Sequence, residues 1–235
     1  MYRNPRGGHN RKTINENFFK VWSPKMAYVL GLIFADGAII DARKSSRACY
    51  IALTSIDKSL LKQVKKALSS SHVLYRTGPH ITSFRGGKFY LCKEKFTWRI
   101  ANKNIYQDLL NLGLTPKKSL TISLPKIPLQ YFSYFLRGYF DGDGCIYVGF
   151  VKGRRLPSIK TILTSGSQNF LNSISEKLHV IINTPLKNPF KNGNAFRLIY
   201  NKNDSLKFLQ FMYLGLEKAP FLERKYQKYL SAYGA

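Results

Sequence analysis

Two apolar stretches of this chain end in acid, and the second repeats the first. Residues 28–39, YVLGLIFADGAI, run into Asp36-Gly37, and residues 134–146, YFLRGYFDGDGCI, run into Asp143-Gly144. Both have the apolar and aromatic density of a buried helix. Both also carry small residues four apart, Gly31 and Ala35 in the first, Gly138 and Gly142 in the second. Residues at i and i+4 share a helix face. A stripe of small residues on that face lets another helix approach backbone to backbone. The step from Asp36 to Asp143 is 107 residues in a chain of 235. This pair therefore constrains the fold most. It predicts two copies of one unit, with the two helices packed about a pseudo-twofold axis and their C-terminal ends side by side.

Other segments repeat in the same order. LTSIDKSLLKQVKKAL (53–68) matches LTSGSQNFLNSISEKL (163–178), IANKN (100–104) matches IYNKN (199–203), and LGL at 112–114 recurs at 214–216. Repeats of this kind mark duplicated units. The division is a basic N-terminal extension over 1–24, a first half over 25–120 and a second over 121–235. Ser23-Pro24 supplies an N-cap and a first-position proline for the first helix, and Pro128 is expected in the same role for the second. Strands follow. CYIALT alternates Cys49, Ile51 and Leu53 against Tyr50, Ala52 and Thr54, and FTWRIA alternates Phe96, Trp98 and Ile100 against Thr97, Arg99 and Ala101. CIYVGFV, a basic turn KGRR (152–155) and SIKTILT follow in the second copy. Amphipathic helices are expected over 57–68, 104–112, 168–178 and 204–214. The class is α+β, with hairpins and no regular βαβ crossovers. The last strand has two conflicting registers. Matching Ile100 to Ile199 puts Arg197 on the face of Trp98, whereas alternation makes Phe196, Leu198 and Tyr200 the buried set.

The charge names the kind of partner. Lys+Arg number 38 against 12 Asp+Glu, a net charge of +26 with pI near 10.1. Such a surplus points to a polyanion, most often nucleic acid. Aromatics at 14% mark a folded protein and not a basic tail. No apolar run approaches the roughly 20 residues that span a bilayer. The N-terminus has the charge of a signal peptide without its apolar stretch. Three scattered cysteines indicate a reducing compartment and no zinc site, and the four histidines lack ligand spacing. The expectation is an intracellular protein, of a bacterial cytoplasm or an organelle, that is not secreted.

Basic and aromatic side chains cluster in the strand and hairpin segments and form the expected DNA-binding set. In the first half these are Arg43, Lys44, Arg47, Tyr50, Thr54, Arg76, Arg85, Lys88, Tyr90, Lys93, Lys95, Thr97 and Arg99. In the second they are Tyr147, Lys152, Arg154, Arg155, Lys160, Thr164, Lys187, Lys191, Asn194 and Arg197.

The acidic helix ends need an explanation in such a chain. A carboxylate at a helix C-terminus opposes the macrodipole and costs about 0.3–1 kcal/mol. Two that converge repel each other as well. Lysines can offset this, and so can a hard cation, because converging carboxylates with water access suit Mg²⁺. Beside a nucleic-acid surface, that combination means phosphodiester hydrolysis. Gly37 and Gly144 are expected as C′ glycines. Asp141 is expected as a surface or capping residue.

VLGLIFADG (29–37) and LRGYFDGDG (136–144) resemble the paired signature of the LAGLIDADG homing endonucleases, in the single-chain monomeric branch; the resemblance covers about 25–235. It implies two αββαββα-like halves whose antiparallel sheets form a saddle over double-stranded DNA with a long target site. It also implies cleavage across the minor groove that leaves 3′ overhangs, and a gene carried by a mobile intron. The usual metal is Mg²⁺, with Mn²⁺ substituting and Ca²⁺ supporting binding without cleavage. The metal carboxylate is the signature's eighth position, which maps to Asp36 and Asp143, with Ala35 and Gly142 beside them in the metal site. Catalytic lysines map to Lys225 in LERKYQK and to Lys118 in TPKKS, with Lys117 as the alternative. A monomer without a protein partner is implied. Phe34 departs from the signature's sixth-position Asp, and Ser55 and Ser165 stand where many members carry Gln. An RNA maturase or a non-cleaving DNA-binding regulator is the alternative on the same scaffold. The ends, Met-Tyr and Tyr-Gly-Ala, lack the terminal Cys/Ser and His-Asn of an intein, which favours a free-standing protein.

Overall fold

The computed structural model describes residues 12–46, 48–83, 87, 89–149 and 158–233. The first half runs α1 (Pro24–Asp36), β1 (Gly37–Ala42), a short α2 (Arg43–Ser46), β2 (Ala48–Ser55), α3 (Lys58–Ala67), β3 (Leu74–Thr77), a hairpin of β4 (His80–Ser83) and β5 (Phe89–Cys92), β6 (Lys95–Ala101) and α4 (Lys103–Asn111). The second runs α5 (Leu129–Asp143), β7 (Gly144–Gly149), β8 (Ser158–Ser165), α6 (Gln168–Ile182), β9 (Phe190–Asn192), β10 (Ala195–Asn201) and α7 (Lys202–Tyr213), then a closing helix α8 (Glu223–Tyr233). Without α2, the hairpin and α8, each half reads αββαββα. Both four-stranded sheets are antiparallel and have the same order, β1-β2-β6-β3 and β7-β8-β10-β9.

Strand periodicity sets the two faces of each sheet. In the first, Cys49, Ile51, Leu53, Phe96, Trp98 and Ile100 are buried in one core with Leu60, Leu61 and Val64 of α3 and Ile105 and Leu109 of α4. Tyr50, Ala52, Thr54, Thr97 and Arg99 lie on the opposite, open face. In the second, Ile159, Thr161 and Leu163 are buried, and Lys160, Ile162 and Thr164 face out.

The signature helices cross where the small residues predict. A Cβ on Gly31 would lie 2.0 Å from the Phe135 carbonyl oxygen, and one on Gly138 would lie 1.9 Å from that of Tyr28. Only hydrogen fits between the backbones at this crossing. One turn on, a Cβ on Gly142 would meet the Ala35 methyl at 2.4 Å.

Several expectations change. Ser23 caps α1, its Oγ accepting from Met26 N at 3.1 Å, but Pro128 stands at the N-cap of α5 and not at its first helical position. Gly37 and Gly144 are not left-handed C′ residues. Their φ values are −79° and −97°, because the chain leaves each helix directly into an extended strand. What those positions require is lack of bulk, since a Cβ on Gly144 would lie 2.2 Å from the Phe140 ring. Part of the N-terminal extension belongs to the core: Phe18 and Phe19 are buried, and Ser71 N donates to Thr13 O at 2.9 Å.

The last strand also resolves. Leu198 and Tyr200 are buried with Phe196 packed against them, and Arg197 pairs with Thr164 on the open face. IANKN and IYNKN match at their helix-capping asparagines, Asn102 and Asn201, and not in strand register. The second copy lacks one residue between strand and cap. Its α7 opens on Lys202 with φ +47°, and Asn201 caps without a side-chain hydrogen bond, whereas Asn102 accepts from Ile105 N at 2.9 Å.

Candidate active site

Asp36 and Asp143 are the last residues of α1 and α5, and both open to solvent where the two helices end together. Asp36 leans across the interface: its Oδ2 lies 3.1 Å from where a Gly142 Cβ would stand. Among the described residues, neither carboxylate accepts a hydrogen bond or joins an ion pair.

The lysines do not touch these carboxylates. Lys118 Nζ donates to the carbonyls of Phe34 (2.6 Å) and Ala35 (2.7 Å), and Lys225 Nζ to those of Phe140 (2.6 Å), Asp141 (2.8 Å) and Gly144 (2.6 Å). Each buried ammonium thus occupies the negative end of its own half's helix and offsets the acid beside it. The two lysines are also 107 residues apart. Lys117, the alternative to Lys118, is exposed and carries φ +59°. A recess of about 320 Å³ beside Asp36 is lined by Thr115, Lys117, Lys118 and Ser119.

Charge interactions run across the halves. Burial raises the Asp36 carboxyl above the usual range, opposed first by Lys225 and then by Lys118. Burial and then the charge of Asp36 push Asp143 up to about 6, opposed first by Lys118. Burial lowers Lys225 to about 8 and also lowers Lys118. Both lysines thus act on both carboxylates, and Lys225 feels the buried charge of Asp141 ahead of that of Asp36.

Asp141 is not a surface residue. It is 3% exposed, and its Oδ2 accepts from Tyr28 Oη at 2.7 Å and from Leu222 N, just ahead of α8, at 2.8 Å. Ser55 and Ser165 cap their own turns, accepting from Asp57 N and Ser167 N at 3.1 Å each.

The expected DNA-binding residues separate by register. Tyr50, Thr54, Lys95, Thr97 and Arg99 lie on the open face of the first sheet, with Thr54 and Thr97 hydrogen-bonded at 2.9 Å and the Arg99 guanidinium 4.0 Å over the Tyr50 ring. A concavity of about 650 Å³ on this face is lined by Tyr50, His72, Tyr75, Thr97 and Arg99. Tyr147, Lys160, Thr164 and Arg197 lie on the open face of the second. Arg76 and Lys191 do not join them. They pair with Phe96 and Phe196, on the core side of each edge strand, and Arg76 is ion-paired to Glu94. Their neighbours Tyr75, Thr77 and Phe190, which sequence reasoning missed, take the open-face positions. β3 and β9 are exposed edge strands, so their sequences carry no buried alternation to show this. Arg43 is held by Asp41, with Lys44 beside it in α2. Tyr90 lies in the hairpin, Lys93 just after it, Asn194 in the β9–β10 turn, and Lys187 ahead of β9 with its N–H bonded to Ser175. Arg47, Arg85, Lys88, Lys152, Arg154 and Arg155 lie outside the described residues.

The donor set suits a hard cation. Two solvent-facing carboxylates with no protein partner converge, and their repulsion is part of what raises Asp143. The two flanking carbonyls are not equivalent. Ala35 O already accepts from Lys118, whereas Lys225 reaches past Gly142.

Comparison with known proteins agrees with this fold. The model of the LAGLIDADG-like domain matches residues 23–78 and 132–212, more than half of the chain. Reverse gyrase of Methanocaldococcus jannaschii is 25% identical over 201 residues, which are 83% of this chain and only 10% of that protein. The chain thus spans about a tenth of the curated relative it matches. Among solved structures, the LAGLIDADG meganuclease I-CpaMI bound to uncleaved DNA superposes with a TM-score of 0.57 at 13% identity, covering 90% of both chains. The homing endonuclease I-WcaI bound to its DNA recognition sequence gives 0.55 at 13%, covering 93% of this chain and 96% of that one. No described helix is long and apolar enough to cross a membrane. With one matched segment in each structural half, and each carrying one signature helix, the chain belongs to the LAGLIDADG family.

Proposed function

We propose that this protein is a site-specific double-stranded DNA endonuclease of the homing type. It acts as an intracellular monomer and hydrolyses phosphodiesters across the minor groove with a divalent cation, leaving 3′ overhangs. One observation carries this reading: two partner-free carboxylates emerge together from close-packed helices, flanked by open sheet faces rich in Lys, Arg and Tyr. The DNA-bound state of the similar structures supports it.

Asp36 and Asp143 hold the cation, Mg²⁺ by preference, with Mn²⁺ substituting and Ca²⁺ supporting binding alone. Gly142 offers a backbone oxygen beside them, and Ala35 one that Lys118 already holds. When bound, the cation eases deprotonation of water and neutralises charge at the leaving 3′ oxygen. The chain supplies the rest. Lys118 and Lys225 fix the helix-end carbonyls, which leaves the carboxylates free to point outward. With its pKa at about 8, Lys225 remains mostly cationic near neutral pH and adds positive potential beside the backbone being cut. Arg99, Lys95, Lys160 and Arg197 neutralise phosphates or read base edges, while Tyr50 and Tyr147 brace two of the cations from the same face.

The test is cleavage in Mg²⁺ of a plasmid library with randomised inserts, followed by mapping of the ends. Recovery of one cut sequence with 3′ overhangs is expected. Binding to that duplex in Ca²⁺ should fall with salt at a log–log slope of about −9, for roughly ten phosphate contacts. No cleavage of any library member, with retained RNA or DNA binding, would move the reading to a maturase or a regulator. Sedimentation should give the mass of one 27.0 kDa chain.

A further inference from the structure

The stretch that leads into Lys225 is strapped down at several points. Asp141 Oδ2 accepts from Leu222 N at 2.8 Å. Gln63 of α3, in the opposite half, exchanges hydrogen bonds with the Phe221 backbone, donating to its carbonyl at 3.2 Å and accepting from its N–H at 3.4 Å. Arg224 pairs with Asp57 of the opposite half at 3.1 Å. The stretch that carries Lys118 has no such strap. Phe34 stands at the position equivalent to Asp141, and among the described residues no side chain hydrogen-bonds the backbone of residues 115–122. That stretch is held by shape: the Ser119 carbonyl sits so close over Gly166 of the opposite half that a Cβ there would be 2.2 Å away.

Asp141 joins the two arrangements. The same oxygen that takes Leu222 N also takes the Tyr28 hydroxyl of α1, so it ties the lysine-bearing stretch to the helix pair. Its backbone carbonyl is in turn one of the three acceptors for Lys225. Removing the side-chain acceptor leaves Leu222 N and the Tyr28 hydroxyl buried without a partner and frees the chain that aims Lys225.

We propose that Asp141 is a positioning residue for Lys225, and that its strap makes the two lysine sites unequal, so that cutting it turns a double-strand cutter into a strand-selective nickase. This rests on the nuclease reading above. Loosening the strap displaces Lys225 from the end of α5 and leaves Lys118 in place at the end of α1.

Two measurements decide it. The first is amide hydrogen exchange of the free protein, without DNA or metal. Asp141→Leu should speed exchange over residues 219–225 at least tenfold and leave residues 115–120 unchanged. Asp141→Asn keeps one oxygen acceptor and should exchange like the unaltered chain. Equal loosening of both stretches, or none, would overturn the strap. The second uses the duplex recovered from the plasmid library, end-labelled on each strand in turn. Asp141→Leu should slow cutting of one strand at least tenfold more than the other, and Asp141→Asn should restore both. Equal slowing of the two strands would overturn the proposal while leaving the nuclease reading intact. If the unaltered chain cuts no library member, the nuclease reading fails, and the exchange experiment still judges the strap. Should Asp141→Leu fail to fold, Gln63→Ala releases the same stretch from its other side. It should shift exchange and strand bias in the same direction by a smaller factor, and absence of both shifts would overturn the proposal.

Discussion

Where α1 meets α5, the same two positions on each helix are filled twice with different chemistry. On one side Tyr28 donates to the buried carboxylate of Asp141. On the other, at positions offset by the 107-residue repeat, Phe135 and Phe34 meet edge to face with centroids 5.4 Å apart. The backbone crossing between them is the same from both directions, with one glycine from each helix. The aromatic arm holds by burial and ring packing and makes no directional demand on its neighbours. The polar arm costs more. Burial raises Asp141 to about 6 even though Tyr28 opposes that shift, and its Oδ1 has no partner among the described residues. In return, only the polar arm orients a distant stretch of chain, the one ahead of α8. A duplicated interface can thus keep its packing identical and divide its other duties between the copies.

The largest expected effect tests whether the two carboxylates are equivalent. Asp36→Asn and Asp143→Asn should each abolish double-strand cleavage and leave Ca²⁺-supported binding of the recovered duplex largely intact, because Asn keeps the size and loses the charge. Nicking by one single variant would show that the halves act separately. Full cleavage by the double variant would end the mechanism.

Next comes the shared crossing. Gly31→Ala and Gly138→Ala each drive a methyl group into backbone, so both should destabilise the fold by on the order of 3 kcal/mol or more, read from denaturant midpoints. Similar losses are expected, and tolerance of either substitution would break the symmetry claimed for the backbone. A smaller effect distinguishes the arms. Tyr28→Phe removes one donor to Asp141 and should cost about 1–3 kcal/mol.

The smallest effect is in pH. Asp143 in the folded protein titrates at about 6, above its ordinary value, so the folded state holds that proton more tightly than the unfolded chain does. The resulting stabilisation is complete below the ordinary carboxylate range and is lost as pH rises through about 6. Metal-free protein should therefore melt higher at pH 5 than at pH 7, and Asp143→Asn should shrink that difference. A melting temperature that rises over this interval would contradict the crowding of the two acids.

Much of this was legible in the chain. The helices, their small-residue stripes, the acids at their ends and the strand faces of CYIALT and FTWRIA all follow from local periodicity and from the repeat, whereas Lys118 and Lys225 came only from the family resemblance. These signals survive because each is carried by residues only a few positions apart, or by two copies that can be compared. The last strand was ambiguous because its best-matching letters belong to a helix cap, and a deleted residue separates that cap from the strand. Arg76 and Lys191 were misplaced because an exposed edge strand carries no alternation to fix its register.

The sequence by itself determined that there are two halves, that their signature helices meet, and that the meeting point is acidic in a basic chain. Local spacing and composition suffice for that. Only the tertiary structure decided that Asp141 is buried, that Asp36 leans over Gly142, that each lysine grips its own half's helix end, and that Gln63 and Asp57 hold the chain ahead of Lys225. These contacts join residues from 81 to 167 positions apart. Their partners are set by how the two helices cross, a geometry that no window of the sequence contains.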